Sequence, residues 1–114
     1  MVDMVTLELG GNISLSGFSD RDFTEMIVVK KMVGQYARKL TDHVQGFSKL
    51  SITLKDVHAV EGHGRVEITT KVDVDGHSYA AETEGHNLFI VLDEGLKRVM
   101  EQIQQAQEKH IHTG

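Results

Sequence analysis

The chain has 114 residues, a length that predicts one domain with a core of its own. It has 12 Lys and Arg and 17 Asp and Glu, which gives a formal net charge of −5. It contains no cysteine, which excludes disulfides, thiolate zinc sites and thiol nucleophiles. The negative net charge opposes general nucleic-acid binding, because phosphates attract a basic surface, so RNA binding would require a local basic patch.

The sequence has no targeting or membrane signal that we can identify. The first residues, MVDMVTLELGG, contain acids and no basic segment, which predicts that they are not a signal peptide. No apolar run approaches the roughly 20 residues that a membrane-spanning helix needs. We therefore expect a soluble cytoplasmic protein that does not enter membranes.

The first predicted element is a β-hairpin. VTLEL (5–9) and NISLS (12–16) alternate between apolar and polar residues, and Gly10 and Gly11 separate them. Glycines between two alternating runs are typical of a hairpin turn. Residues 1–11 are accordingly either an extra strand or an N-terminal extension.

The stretch MIVVKKMVGQYARKL has helical periodicity, which predicts a helix over 21–41. Ser19 and Asp20 are candidates to cap its start, and Asp22 and Glu25 place negative charge in its first turns, where the helix dipole favours it. The apolar stripe consists of Val29, Met32, Val33, Tyr36, Ala37 and Leu40.

Three strands are predicted to follow this helix. FSKLSITLKDVH (47–58) and RVEITTKVDV (65–74) alternate in polarity, and HSYAAETE (77–84) is the return strand of a second hairpin. Asp75 and Gly76 join the last two strands and favour a type I′ turn. The connection AVEGHG is predicted to be a loop.

The last predicted element is a helix that Asn87 caps. Its apolar stripe consists of Leu88, Leu92, Leu96, Val99, Ile103 and Ala106. Gly95 lies within this stripe and would allow close approach of a helix or a sheet. Residues 110–114 are expected to fray.

The order (β)βαβββα predicts an α+β fold. Each strand is half apolar and each helix has one apolar stripe, so two helices covering one face of a mainly antiparallel sheet would bury all of this surface. We expect a two-layer α/β sandwich that forms a single domain over 1–114.

No residue pattern predicts catalysis, a metal site or a cofactor. The histidines do not converge in the predicted fold and are interpreted as surface residues; they are His43, His58, His63, His77, His86, His110 and His112. The carboxylate pairs have capping, turn or solvent-facing positions, and the glycine-rich stretches precede strands rather than helices. We therefore expect a protein that is not an enzyme.

Four of the twelve cationic residues lie in the stretch MIVVKKMVGQYARKL of the first predicted helix, with no acid between residues 26 and 41. Lys31, Gln35, Arg38 and Lys39 fall within an arc of about 100° on its polar side. Basic residues near a helix C-terminus are often simply a solvated face that favours the dipole. The alternative interpretation is an anion-binding surface.

A second candidate surface is apolar. Ile27 and Val28 point away from the main stripe of the first helix, and Ile90 lies near the start of the second. Ile27 and Val28 either pack beneath a loop or, together with Ile90, contact a partner protein. A second copy of the chain is one such partner, which would give a homodimer.

Several stretches resemble the ribosome hibernation-promoting factor and ribosome-associated inhibitor family, over about residues 12–109. NISLSGFSDRD is similar to the opening strand of that family and its turn into the first helix, and VKKMVGQYARKL occupies the position of that helix. VDVDGHSYAAETEGHNLFIVLDEGLKRVMEQI is similar to the hairpin and second helix. The αβββα order also resembles a double-stranded RNA-binding domain, whose last helix opens with a lysine cluster that HNLFIVLDEG lacks.

The resemblance to the hibernation factors implies a β-α-β-β-β-α fold and binding to RNA of the small ribosomal subunit, without catalysis or a cofactor. Basic residues on the helices of that family contact RNA phosphates. The residues that match these positions here are Lys30, Lys31, Arg38, Lys39, Lys97 and Arg98.

Overall fold

The computed structural model describes residues 6–57 and 64–113 and, for Glu8 and residues 109–113, the backbone alone. The elements are β1 (Thr6–Leu9), β2 (Ile13–Ser16), α1 (Phe23–His43), β3 (Phe47–Val57), β4 (Arg65–Val74), β5 (His77–Gly85) and α2 (Leu88–Thr113). They form the predicted α+β sandwich, in which both helices pack on one face of a five-stranded sheet.

The strands lie in the order of the sequence, and all neighbouring pairs except β2–β3 are antiparallel. The parallel pair follows from α1, because a helical crossover returns the chain to the end of the sheet from which β2 started. Since β5 is parallel to β2, α1 and α2 both begin at the same end of the sheet and run in the same direction.

Both predicted hairpins are present. Leu9 pairs with Ile13, so the loop of the first hairpin has three residues instead of the two glycines expected. In the second hairpin Asp75 and Gly76 have φ angles of 49° and 81°. Positive φ at both positions is what a type I′ turn requires, which confirms the prediction.

The start of α1 differs from the prediction by two residues. Asp22, and not Ser19 or Asp20, is the N-cap, and its Oδ1 accepts a hydrogen bond of 2.7 Å from the Glu25 amide. The Glu25 carboxylate in turn accepts from the Asp22 amide at 3.4 Å. This reciprocal capping box satisfies two amides at once and fixes the start of the helix at Phe23.

The core lies between the sheet and the helices. Val29, Val33, Ala37 and Leu40 of α1 are buried, and Met32 and Tyr36 are partly buried against them. The inward residues of the sheet include Leu15, Leu50, Ile52, Leu54, Ile68 and Val72. The helical periodicity of α1 and the alternation of β3 and β4 therefore predicted the buried faces correctly.

Helix α2 approaches the sheet closely at Gly95. A Cβ atom on this residue would lie 2.6 Å from Thr70 Oγ1 and 3.2 Å from Thr83 Oγ1. Thr83 Oγ1 donates to the Val91 carbonyl at 2.9 Å. The expectation that Gly95 permits close approach is thus confirmed, and the surface that it meets is the polar pair of threonines on β4 and β5.

Helix α2 continues to Thr113, so the backbone of residues 110–113, where fraying was expected, is helical. The segment EQIQQAQEK contains strong helix formers, and no glycine or proline interrupts it.

Candidate nucleic-acid interface

The exposed side of α1 is cationic along its central and C-terminal turns. Lys30, Lys31, Arg38 and Lys39 are all exposed. Within residues 6–57 and 64–108, no ion pair joins any of them to a carboxylate. Their positive charge is therefore available to an anionic partner, which the sequence alone could not establish.

These cations form a band around α1. At about 100° per residue, Lys31 and Arg38 lie near the crest, opposite the buried side chain of Val29. Lys39 lies on the flank that faces α2, where its Nζ is 4.9 Å from the centroid of the Tyr36 ring. Lys30 lies on the other flank, so the band covers about half of the circumference.

The two predicted cations of α2 have a different environment. Lys97 Nζ lies 2.9 Å from Asp93 Oδ2, and Arg98 Nη2 donates to Glu94 Oε2 at 3.2 Å. Both pairs have the i, i+4 spacing that favours such contacts on a helix. Of the six residues assigned to RNA binding, these two are locally neutralised and the four on α1 are not.

A groove of about 410 Å³ lies between the helices. Its lining residues are Tyr36, Lys39 and His43 of α1 and Lys97, Met100, Glu101 and Gln104 of α2. The fold therefore brings Lys39 and Lys97 to one surface, although they are far apart in sequence. The i, i+3 and i, i+4 spacings show that each helix contributes one continuous stripe to the groove.

Tyr36 links the two walls of this groove. Its hydroxyl donates to Asp93 Oδ1 at 3.3 Å, and the other oxygen of Asp93 contacts Lys97. Burial, together with the Asp93 carboxylate, raises the pKa of Tyr36, and the hydrogen bond with Asp93 raises the pKa of Lys97. At neutral pH the phenol is accordingly an un-ionised donor and the ammonium is charged. The periodicity of α1 places Tyr36 in the core stripe and does not indicate this role.

Four exposed apolar side chains lie near the starts of the two helices. The exposed fractions of Phe23, Ile27 and Ile90 are 80%, 52% and 66%, and that of Val28 is 38%. The described residues leave Ile27 and Val28 exposed, with no loop among them packed over these side chains. Phe23 was not among the predicted partner-binding residues, although its position four residues before Ile27 places the two on the same side of α1. We call these four residues the apolar end.

The remaining polar residues show no catalytic arrangement in the described part of the chain. His43, His77 and His86 are exposed, and His86 Nδ1 donates to the Gly64 carbonyl at 2.9 Å. His58 and His63, and the side chains of His110 and His112, lie outside the described residues. No group of three or more potential metal ligands occurs within those described.

Three of the carboxylates that the sequence pairs with a neighbouring acid have structural partners. Asp22 caps α1, Asp73 accepts a hydrogen bond of 2.7 Å from Ser78, and Glu84 accepts one of 2.6 Å from Arg65. Glu82 and Glu84 face solvent on the side of the sheet away from the helices. These partners account for Asp22, Asp73 and Glu84 without assigning them a reaction.

No protein-family model and no curated protein sequence matches the chain. Over the described residues, no helix combines the length and the apolar character that crossing a membrane would require.

Proposed function

We propose that the protein is a non-enzymatic, cytoplasmic RNA-binding module that associates with RNA of the small ribosomal subunit through α1. The observation that carries this proposal is the set of four exposed cations on an acid-free segment of helix, none of them paired with a carboxylate of the described chain. The small ribosomal subunit is proposed as the target because the order of elements and several stretches of sequence resemble the hibernation-promoting factors.

A local positive surface can act in a protein whose total charge is negative. Charges separated by more than about 10 Å are largely screened at 0.1 M salt, so a phosphate near α1 responds mainly to the nearest side chains. The acids closest in sequence to the band are Glu25 and Asp42, one at each end of it. Most of the other acids are on α2 or the sheet.

Salt dependence tests this function most directly. Four phosphate contacts give a slope of log affinity against log salt of about −2.8 for single-stranded RNA. Raising the salt from about 50 to about 200 mM should therefore weaken binding roughly 50-fold. Sedimentation with purified small subunits, with large subunits as the control, measures this effect. Absence of binding to small subunits at the lower salt contradicts the proposal.

A second candidate function is a protein interaction through the apolar end, and the exposure of its four side chains is the observation that favours it. Ile27, Val28 and Ile90 would bury their surface against a second copy of the chain, together with Phe23. Light scattering should then give the mass of a dimer at high protein concentration, and Ile27→Ser should shift this mass towards the monomer. A monomeric mass for the unmodified chain excludes the homodimer.

A further inference from the structure

The groove between the helices combines an aromatic ring, an apolar floor, a carboxylate and three basic side chains. Tyr36 and Met100 are partly buried against the core, and the other lining residues are Glu101, Gln104, Lys39, Lys97 and His43. We propose that this groove binds one unpaired guanine nucleotide of a single-stranded RNA. This proposal rests on the proposed function. It specifies the part of the RNA that contacts both α1 and α2.

The base stacks on Tyr36. One side of this residue packs against the core, and Lys39 lies over its ring with Nζ 4.9 Å from the centroid. Stacking of a base on an aromatic ring is stronger than a cation–π contact at an exposed site, so a base displaces the lysine. Single-stranded RNA offers such bases because they are not held in a duplex.

Displacement of Lys39 places a cation beside the nucleotide. The side chain keeps its charge and has no carboxylate partner in the described residues. It can therefore contact the phosphate attached to the stacked base, with His43 one helical turn further along the same wall of the groove. The RNA leaving the groove on this side meets Arg38 and Lys31, so the band and the groove form one continuous surface.

The carboxylate of Glu101 selects the base. Asp93, the nearest acid to Tyr36, already binds Tyr36 and Lys97. Glu101 is exposed and makes no ion pair or side-chain hydrogen bond among residues 6–57 and 64–108. Guanine presents two adjacent donors, N1–H and N2–H, on its Watson–Crick edge, which a carboxylate accepts as a pair. The same edge of uracil has one donor between two acceptors, and that of adenine has one donor beside one acceptor.

Two fluorescein-labelled hexanucleotides test the site by fluorescence anisotropy at low salt. One contains five uridines and one guanosine, and the other replaces the guanosine with adenosine. The unmodified protein should bind the first roughly tenfold more tightly, which is the discrimination expected of one paired contact to a base edge. Glu101→Gln should abolish this preference, while Glu82→Gln, the same change on the face of the sheet away from the helices, should retain it.

The role of the ring requires a separate pair of variants. Tyr36→Phe keeps the stacking surface and removes the hydroxyl that donates to Asp93, so it should bind both hexanucleotides nearly as the unmodified protein does. Tyr36→Leu should weaken binding of both by roughly tenfold, because stacking on the ring contributes to the affinity for any base. Circular dichroism and thermal unfolding establish that each variant is folded, and Glu101→Gln, at an exposed position, tests the site even if Tyr36→Leu does not fold.

The outcomes separate this proposal from the function on which it rests. Equal affinity of the unmodified protein for the two hexanucleotides, or a preference that Glu101→Gln leaves intact, overturns the guanine site. If that occurs while salt still weakens binding as expected, RNA binding by α1 stands without the groove. Failure of both hexanucleotides and of small subunits to bind at low salt overturns the two proposals together.

Discussion

Reversing the charge of Lys31 and Arg38, as Lys31→Glu with Arg38→Glu, should weaken RNA binding by roughly 100-fold at low salt, or about 1.4 kcal/mol for each residue. Both side chains lie at the crest of α1, are exposed and have no carboxylate partner in the described residues. Each reversal removes a phosphate contact and adds repulsion. Anisotropy of a labelled ribosomal RNA fragment measures the affinity, and the salt slope should become shallower by about 1.4.

The control is a matched pair of reversals on the other side of the molecule. Lys55 and Lys71 are exposed on β3 and β4, on the face of the sheet that the helices do not cover. Lys55→Glu with Lys71→Glu changes the net charge by the same amount and should leave the affinity within about threefold of the unmodified value. Equal weakening by the two pairs would show that total charge, and not α1, governs binding.

The elements of the fold could be predicted because they depend on short-range patterns. The apolar spacing from Val29 to Leu40 predicted which side of α1 is buried, and Asp75-Gly76 predicted the turn between β4 and β5. The start of α1 could not be placed as well. Ser19, Asp20 and Asp22 are all suitable caps by residue type, and only the reciprocal contact with Glu25 decides between them.

Whether the predicted cations form ion pairs could not be read from the positions of the cations alone. Their presence on the polar side of α1 followed from periodicity, but whether an acid neutralises them depends on side chains from other elements. For α2 the answer was already in the sequence, because Asp93 and Lys97, and Glu94 and Arg98, have i, i+4 spacing. For α1 it depended on the relative placement of the helices and the sheet.

The groove could not be predicted from either helix alone. Tyr36 belongs to the apolar stripe of α1, so periodicity assigns it to the core, whereas its hydroxyl reaches Asp93 of α2. The contact depends on the two helices running parallel over neighbouring strands, which follows from the parallel pairing of β2 with β3. That pairing is a property of the whole sheet, and local residue patterns do not contain it.

Gly17→Ala is the substitution for which we expect the largest loss of stability. Gly17 has a φ of 86°, and a Cβ atom there would lie 2.0 Å from the Leu54 carbonyl oxygen. The contact is with the backbone of the central strand β3, which cannot move without disturbing its pairing with both neighbours. The strained backbone and the steric overlap together should lower the free energy of unfolding by about 3 kcal/mol or more.

The matched control for Gly17→Ala is Gly34→Ala. Gly34 lies within α1, and a Cβ atom there would meet no atom within 4 Å. Alanine reduces the conformational freedom of the unfolded chain and has the higher helix propensity, so this variant should gain about 0.5–1 kcal/mol. Urea denaturation measures both changes.

A small effect of Gly17→Ala would mean that β2 and β3 do not approach each other as closely at Leu54 as the structure shows. Because the turn at Gly17 leads the chain from β2 into α1, this close contact contributes to the position of the cationic band over the sheet.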